Sequence, residues 1–238
     1  MKLWELTGKE FEQHEARIAI LPVGSVERHG DHLPLGTDGI IPLAIAEEVE
    51  KLAPHILVLP PVWYGSSTTL RKFAGTFDIP HETLYQYVLS ILMEAARNGV
   101  KLLVVLNGHG GNTVALKLAA KKAAYTTGMT ILVVNWWTDL ARQARAQLFE
   151  HPGHAGEDET SVMLALMPDK IDMKSAFDHP TEYVDLPIYS RKIEERIYPR
   201  ALSGSASKAD GEKGRKWLIE MAKDLLDMIN KAYVLTSQ

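Results

Sequence analysis

The sequence has no cysteine among its 238 residues. This absence excludes a disulfide framework, a metal site built on thiolates and a cysteine nucleophile. No apolar stretch approaches the roughly 18 consecutive residues that a membrane-spanning helix needs. The N-terminal segment mixes acidic with basic residues, which is not the pattern of a signal peptide. We therefore expect a cytoplasmic protein that has no membrane partner.

An excess of positive charge is also missing. Lysine and arginine number 26 against 30 aspartates and glutamates, for a formal net charge of -4. A protein that binds nucleic acid needs a concentrated basic face. The densest basic stretches, 191–192 and 213–216, lie next to glutamates and are typical of solvated helix faces. We therefore expect no nucleic-acid partner.

What the sequence does have is a regular alternation of predicted strands and helices. Short apolar runs predict strands, and apolar residues at helical spacing predict the segments between them. The predicted strands are 18–23, 56–59, 102–106 and 131–134, and the predicted helices are 40–52, 81–97, 113–125 and about 213–232. This order predicts one domain over residues 1–238, a three-layer α/β/α sandwich with a mostly parallel central sheet. Residues 175–209 are irregular and too long for an ordinary loop, so we expect a lid or an oligomer contact there.

Three segments rich in histidine and carboxylate follow predicted strands. In open parallel sheets, ligands bind beyond the carboxyl ends of the strands. The segments are 24–38, with Glu27, His29 and Asp38; 107–112, with His109; and 151–160, with His154 and Glu159. Imidazoles and carboxylates without thiolates suit Zn, Mn or Fe, and one carboxylate can bridge two ions. The pattern therefore predicts a metal site at this edge of the sheet.

Other kinds of site fit the sequence less well. Residues 108–113 begin like a dinucleotide-binding turn, but Thr113 stands at the third glycine position. No Gly-x-Ser-x-Gly motif of a serine hydrolase occurs, and residues 204–208 lack the spacing of a phosphate-binding loop. Two alternatives stay open: a metal-binding protein without turnover, and a nucleotide-binding protein in which the histidines and aspartates are structural.

The same motifs resemble those of a known family. The run 21–30, followed by 32–34 and Asp38, is similar to the first signature of the creatininase (creatinine amidohydrolase) family. Residues 107–112 and 154–160 resemble its second and third signatures. Residues 73–76 resemble a fourth, with Ala74 where proline is usual. The resemblance implies a homo-oligomer, such as a hexamer, and a metal-dependent hydrolase that cleaves a non-peptide C–N bond in a small, cyclic or heterocyclic amide.

The resemblance also implies roles for individual residues. Two divalent ions per subunit, of Zn, Mn or Fe, are expected. Glu27, Asp38 and His109 would hold one ion, while His29 and Asp38 would hold the other. Asp38 would then bridge the two ions. His154 matches the histidine that the family uses as a proton shuttle.

One position departs from the pattern of creatinine hydrolases. Those enzymes have a glutamate two residues after the histidine that matches His109, and here this position is Gly111. Glu159 is the candidate replacement, as in relatives that hydrolyse formamides. The pattern therefore leaves other substrates open. They include the formamidopyrimidine nucleotide of the archaeal flavin and deazaflavin pathways, cleaved by a deformylase, and a peptide cleaved by a maturation factor.

Substrate-binding residues are expected after the fourth strand and beside the first motif. Trp136 and Trp137 follow that strand, and adjacent residues on a strand point in opposite directions. One tryptophan is therefore expected to line the pocket and the other to lie in the core. Arg28, Arg71 and Lys72 are either ligands for an anionic group such as phosphate or ordinary surface charge.

Overall fold

The computed structural model describes residues 1–14, 18–180, 188 and 190–236. Its central feature is a four-stranded parallel sheet in the order β2-β1-β3-β4. The strands are β1 (Ile18–Val23), β2 (Leu57–Val58), β3 (Leu102–Asn107) and β4 (Thr130–Asn135). Two further short strands, β5 (Asp178–His179) and β6 (Gly204–Ser205), form an antiparallel pair apart from this sheet.

A helix follows each strand of the sheet along the chain, and helices cover both faces of the sheet. They are α1 (Gly8–Gln13), α2 (Thr37–Leu52), α3 (His81–Arg97), α4 (Thr113–Thr127), α5 (Trp136–Asp139), α6 (Arg142–Leu148), α7 (Glu157–Leu166), α8 (Arg191–Ile197) and α9 (Gly211–Thr236). Among the described residues, no helix combines the length and the apolar character that crossing a membrane requires.

The two faces of the sheet form two hydrophobic cores. Every residue of β1 and β3 is buried, and successive side chains of a strand point to opposite faces. Ile18 and Ile20 pack with α2, α7 and α9, whereas Ala19 and Leu21 pack with α3 and α4. Strands that are covered on both faces read as continuous apolar runs. The predicted three-layer α/β/α architecture is therefore confirmed.

The strand register places the polar loops side by side. Val23 pairs with Asn107, and Asn107 pairs with Asn135, so β1, β3 and β4 end at the same level. The loop after β1 then leads into α2, and the loop after β3 leads into α4. Glu27, His29, Asp38 and His109 thus emerge at one edge of the sheet.

The segment predicted to be irregular contains some regular structure. Strand β5, helix α8 and strand β6 all lie within residues 175–209, while residues 181–187 and 189 of this segment lie outside the described residues. Asp178 pairs with Ser205, which joins the two ends of the segment. Its last part, residues 198–205, packs against the loop that carries His154, as described below.

Candidate metal centre

Five side chains from four parts of the chain meet at the carboxyl edge of the sheet. The loop after β1 contributes Glu27 and His29, the first turn of α2 contributes Asp38, the loop after β3 contributes His109, and α7 contributes Glu159. These are the five residues that the sequence analysis selected as metal ligands, and the structure brings them together.

Asp38 lies between two groups of potential ligands. Its Oδ1 atom is 3.0 Å from His29 Nε2, and its Oδ2 atom is 3.1 Å from His109 Nδ1. Glu27 Oε1 lies 3.3 Å from His109 Nδ1, and Glu159 Oε2 lies 3.7 Å from His29 Nε2. One group is thus Glu27, Asp38 and His109, and the other is His29, Asp38 and Glu159; within each, the ligand atoms lie within 4.8 Å of one another.

The chemistry of this donor set fits divalent cations. Both carboxylate oxygens of Glu27 and the Oδ2 atom of Asp38 are buried, and none has a hydrogen-bond partner among the described residues. Burying a carboxylate without a partner is costly, and buried charges are ordinarily paired or bound to a metal. Carboxylates and imidazoles suit Zn, Mn and Fe. The residues present therefore fit the ions that the sequence pattern predicts.

Backbone carbonyls orient the ring nitrogens of both histidine ligands. His29 Nδ1 lies 3.1 Å from the carbonyl of Glu27, and His109 Nε2 lies 2.9 Å from the carbonyl of Ser66. A carbonyl only accepts hydrogen bonds, so these nitrogens carry the protons. The opposite nitrogens, Nε2 of His29 and Nδ1 of His109, face the carboxylates, and once deprotonated they would offer their lone pairs to an ion. Such partners on the outer nitrogen are typical of metal-ligating histidines.

Without cations, the carboxylates of the centre favour protonated histidines. Burial opposes a charge on the His29 ring, but the negative charges of Asp38, Glu159 and Glu27 raise its pKa to about 10. The pKa of His109 is likewise raised well above its usual value, against burial, by Glu27 and Asp38. Burial raises the pKa of the Glu159 carboxyl to about 8, with His29 opposing and Asp38 adding to the rise. Positive charge is therefore strongly favoured here.

We expect metal binding to tighten as the pH rises. Metal ligands must be deprotonated, so an ion has to displace the protons that the raised pKa values keep on His29 and His109. The apparent dissociation constant should fall about tenfold per pH unit for each proton displaced, with about one to two protons displaced between roughly pH 6 and 9. Competitive zinc titrations against a chromophoric chelator measure this slope. A dissociation constant that does not change with pH would contradict the raised pKa values.

His154 lies beside both groups of ligands, and with Glu27 and His29 it forms a third set whose ligand atoms lie within 4.8 Å of one another. Its Nε2 atom is 3.0 Å from the carbonyl of Arg28, so this nitrogen carries the proton. Nδ1 lies 3.8 Å from Glu27 Oε1, and the ring centroid is 4.3 Å from that of His29. Burial, aided by the positive charge of His29, lowers the pKa of His154 to about 4. The imidazole is therefore neutral and offers Nδ1 as a proton acceptor.

Residues 198–205 hold the loop of His154 in place. These contacts could not be predicted from the sequence. Ser203 accepts a hydrogen bond from His154 N at 3.0 Å and donates its own N–H to His154 O at 2.9 Å. The ring of Tyr198 meets the His154 ring edge-on, with centroids 5.7 Å apart. Arg200 and Ala201 have positive φ angles of 53° and 54°. Strained backbone of this kind is common at functional sites.

Gly111 has no room for a side chain. A Cβ atom there would lie 2.0 Å from the carbonyl oxygen of Ser66 and 2.6 Å from His109 Nε2. A glutamate at this position would therefore require the backbone to move. The carboxylate of Glu159, which is held by a 2.7 Å hydrogen bond from Ala155 N, lies in the second ligand group instead.

The two tryptophans after β4 have different environments. Trp136 is only 1% exposed and packs against Trp217, with ring centroids 5.2 Å apart. Trp136 is therefore the one of the two tryptophans that lies in the core, with α9, rather than in the pocket. Trp137 is partly buried, and its ring approaches within 3.9 Å of the position that a Cβ of Gly110 would occupy. Trp137 is thus the tryptophan that lies next to the loop of His109.

The basic residues considered for an anionic group are mostly engaged elsewhere. Arg28 donates to the carbonyl of Gly30 at 2.8 Å and forms an ion pair with Asp31, which also pairs with Arg200. Lys72 lies 3.8 Å from Glu195 on α8. Arg71 is exposed. These contacts fit surface charge at the edge of the centre better than a built anion site.

Two buried carboxylates of α7 were missed by the sequence analysis. Asp158 accepts two hydrogen bonds from the Arg145 guanidinium, at 3.0 and 2.6 Å, and one from Gly153 N at 2.9 Å. Glu157 accepts from the backbone N–H groups of residues 150 and 151. Both carboxylates therefore hold the loop before α7. The run of three acidic residues at the start of α7 was the sequence signal that could have indicated this role.

Comparison with known proteins gives matches along most of the chain. A family model described as "Creatininase: Creatinine amidohydrolase" matches residues 4–229. The creatinine amidohydrolase of Pseudomonas putida is 31% identical over 252 residues, which covers 96% of each chain. A mycofactocin precursor peptide peptidase of Mycobacterium ulcerans is 31% identical over 88% of this chain and 83% of its own length.

A shorter match joins the chain to a deformylase. The 2-amino-5-formylamino-6-ribosylaminopyrimidin-4(3H)-one 5'-monophosphate deformylase of Methanococcus maripaludis is 30% identical over 134 residues. This match covers 53% of the chain and 58% of the deformylase.

Solved structures with the same architecture match nearly the whole chain. A structure described as "Creatininase Mn" superposes with a TM-score of 0.84 at 30% sequence identity, and the match covers 97% of each chain. A mutant creatininase described as of Zn-Zn type superposes with a TM-score of 0.80 at 30% identity. The fold is therefore shared with proteins whose descriptions name manganese and zinc.

Proposed function

Since the chain belongs to the creatininase family, we propose that it is a metal-dependent hydrolase that cleaves the C–N bond of a small, cyclic or heterocyclic amide. The observation that supports this proposal is the position of Asp38 between two groups of potential ligands. A shared carboxylate flanked by imidazoles and further carboxylates is the arrangement that holds two ions close together.

Each ion would have three ligands from the protein. Glu27, Asp38 and His109 would hold one ion, while His29, Asp38 and Glu159 would hold the other. Divalent ions bound in this way lower the pKa of water from 15.7 to roughly 7 and polarise a carbonyl oxygen. Zn, Mn and Fe all accept this ligand set.

The side chains of the centre differ in how much of their surface is exposed. Glu27, His29 and Asp38 are at most 4% exposed in their side chains, whereas His109, Glu159 and His154 are 14%, 11% and 15% exposed. A substrate carbonyl would therefore approach past these three partly exposed groups, with His154 beside the reacting atoms.

His154 would move the proton that the reaction requires. Its Nε2–H is engaged by the Arg28 carbonyl, which leaves Nδ1 as the nitrogen that faces the centre. Nδ1 would accept a proton from the attacking water and then donate it to the leaving nitrogen, which would otherwise depart as a poor leaving group. Trp137, next to the loop of His109, would contact a planar substrate.

Formamide hydrolysis is the second candidate function. The match with a deformylase supports it, and so does the absence of a glutamate at Gly111, which distinguishes the chain from the sequence pattern of creatinine hydrolases. A formamide also presents one small carbonyl and a leaving nitrogen, so the same residues would perform the same steps. The two candidates therefore differ in the substrate rather than in the chemistry of the centre.

A substrate screen with defined metal content tests the proposal. The protein is stripped with a chelator, reloaded separately with Zn, Mn or Fe, and assayed with creatinine, a formamidopyrimidine nucleotide, other small amides and a short peptide. We expect hydrolysis of a small amide to disappear on stripping and to return on reloading, because the ions provide the activated water and polarise the carbonyl.

The outcomes separate the alternatives that the sequence leaves open. Uptake of two ions without hydrolysis of any small amide would favour a binding protein. Hydrolysis of the peptide alone would favour a maturation peptidase. Undiminished hydrolysis by a preparation that holds far less than one ion per chain would contradict metal dependence. Stabilisation by nucleotides with no metal uptake would favour the structural role of the histidines.

A further inference from the structure

His109 differs from His29 in how its outer nitrogen is held. The carbonyl that accepts from His29 belongs to Glu27, two residues away on the same loop. The carbonyl that accepts from His109 Nε2, at 2.9 Å, belongs to Ser66, which lies 43 residues away. The direction of the His109 ring therefore depends on whatever fixes the backbone at Ser66.

Asn112 is one of two side chains that hold that backbone; the other is Asp78, whose Oδ1 atom accepts from Ser67 N at 2.9 Å. The side chain of Asn112 is fully buried, and its Oδ1 atom accepts a hydrogen bond of 2.8 Å from Ser66 N. Its Nδ2 atom donates to the carbonyl of Gly24, just beyond β1, at 2.9 Å. Asn112 thus ties the Ser66 segment to the end of the central strand, from which the loop of Glu27 and His29 starts.

Asn112 precedes α4, and its side chain contacts Ser66 and Gly24 instead of capping the helix. Asn112 is the N-cap residue of α4, where an asparagine ordinarily accepts a hydrogen bond from the helix backbone. Its side chain makes no such bond here. Gly65 allows the close approach, because a Cβ at Gly65 would lie 2.5 Å from Asn112 Oδ1. The side chain is therefore turned away from its own helix and toward Ser66.

Asn107 holds the backbone of His109, and its Oδ1 atom also accepts a hydrogen bond of 3.4 Å from Asn112 Nδ2. Its Oδ1 atom accepts from His109 N at 3.1 Å, and its Nδ2 atom donates to His109 O at 2.8 Å. Asn107 therefore fixes where the residue lies, whereas the Ser66 carbonyl fixes which ring nitrogen carries the proton.

We propose that Asn112 is a positioning residue that acts through the Ser66 carbonyl on His109, and that it controls the affinity of only one of the two ion sites. The inference rests on the proposed function, since it concerns the ions that the centre would hold. The affected site is the one formed by Glu27, Asp38 and His109. In the other site, the outer nitrogen of His29 is held by the Glu27 carbonyl, which Asn112 does not contact.

Zinc titration of the full chain tests this inference. In Asn112→Ala, Ser66 N and the Gly24 carbonyl lose their partner, so the backbone that directs the Ser66 carbonyl toward His109 keeps only the hydrogen bond to Asp78. We expect one ion to bind as in the unmodified protein and the other to bind roughly 10- to 100-fold more weakly, the usual effect of removing an outer partner of a metal ligand. Nuclear magnetic resonance of the zinc-loaded protein reports the ring protons. The His109 Nε2–H should exchange slowly in the unmodified chain and rapidly in the variant.

Two further variants separate positioning from a general loss of stability. Ala123→Gly removes a buried methyl group from the far end of α4, and we expect both ions to bind to it as in the unmodified chain. Asn112→Asp keeps the shape and the acceptor for Ser66 N but places a second oxygen against the Gly24 carbonyl. We expect the same inequality between the two ion sites, and this variant can be used if Asn112→Ala does not fold.

The outcomes distinguish this inference from the function on which it rests. Two ions bound with unchanged affinity by both Asn112 variants would overturn the inference alone. Equal weakening of both sites, or an unchanged exchange rate of the His109 Nε2–H, would also overturn it. An unmodified chain that takes up no zinc would overturn the proposed function and the inference together.

Discussion

Replacing Asp38 by asparagine is expected to empty both ion sites and to reduce turnover by a factor of at least about 10³, since ions supply several kcal/mol of transition-state stabilisation. Asp38 offers one oxygen to each group of ligands. Asparagine has nearly the same shape, but it removes the negative charge that both ions would share, and an amide oxygen is a weaker ligand. Metal analysis of desalted protein, together with the rate on the substrate found in the screen, measures both effects.

A second aspartate, on the loop that leads into α2, provides the matched control. Asp31 pairs with Arg28 and Arg200 and belongs to neither group of ligands. Asp31→Asn should therefore keep two ions per chain and most of the activity. Circular dichroism of both variants reports whether the fold is kept. Two tightly bound ions in a folded Asp38→Asn variant would contradict the bridging role.

The strands could be predicted because each carries its own signal. The run 18–23 has no polar residue, and the structure places Ile18 and Ile20 in one core and Ala19 and Leu21 in the other. A strand covered on both faces needs apolar residues at every position. The boundaries of β1 therefore agree with the sequence prediction. Those of α3 (His81–Arg97) agree as well.

The environment of the tryptophans could not be predicted from local pattern. The prediction assumed that the strand continues through Trp136 and Trp137, but α5 starts at Trp136. Strand alternation then no longer decides which side chain is buried. The buried position of Trp136 depends on Trp217 of α9, which is distant in sequence.

The ligands of the centre were visible in the sequence, whereas the residues that hold them were mostly not. Glu27, His29 and His109 stand in short motifs whose spacing carries the signal. The tie between Asn112 and the Gly24 carbonyl spans 88 residues, and its geometry depends on the register of β1 and β3. Hydrogen bonds between distant backbone segments leave no periodic pattern, so only the folded chain shows them.

For His154, the motif could be seen in the sequence, but the ring nitrogen that carries the proton could be assigned only from the fold. The sequence places a histidine between glycine and alanine before α7. The folded chain adds the Arg28 carbonyl 3.0 Å from Nε2, which assigns the proton to that nitrogen. It also adds Ser203, which holds the backbone of His154 on both sides. The free Nδ1 follows from these contacts and not from the motif.

Replacing His154 by alanine is therefore expected to lower turnover by a factor of about 10² to 10⁴ while the metal content stays unchanged. The variant loses the proton acceptor at Nδ1, but it keeps all the ligands of both ion groups. Metal analysis and steady-state kinetics on the same preparation measure the two effects. Added imidazole should restore part of the activity, because it can occupy the space that the side chain leaves.

His151 supplies the control for this variant. It lies on the same loop, its side chain is 38% exposed, and its nearest ionic neighbour is Glu150 at 3.9 Å. His151→Ala should change neither metal content nor turnover. If His154→Ala lost an ion together with its activity, His154 would be a ligand. The group formed by Glu27, His29 and His154 would then be an ion site, and the proton would have to travel by another residue.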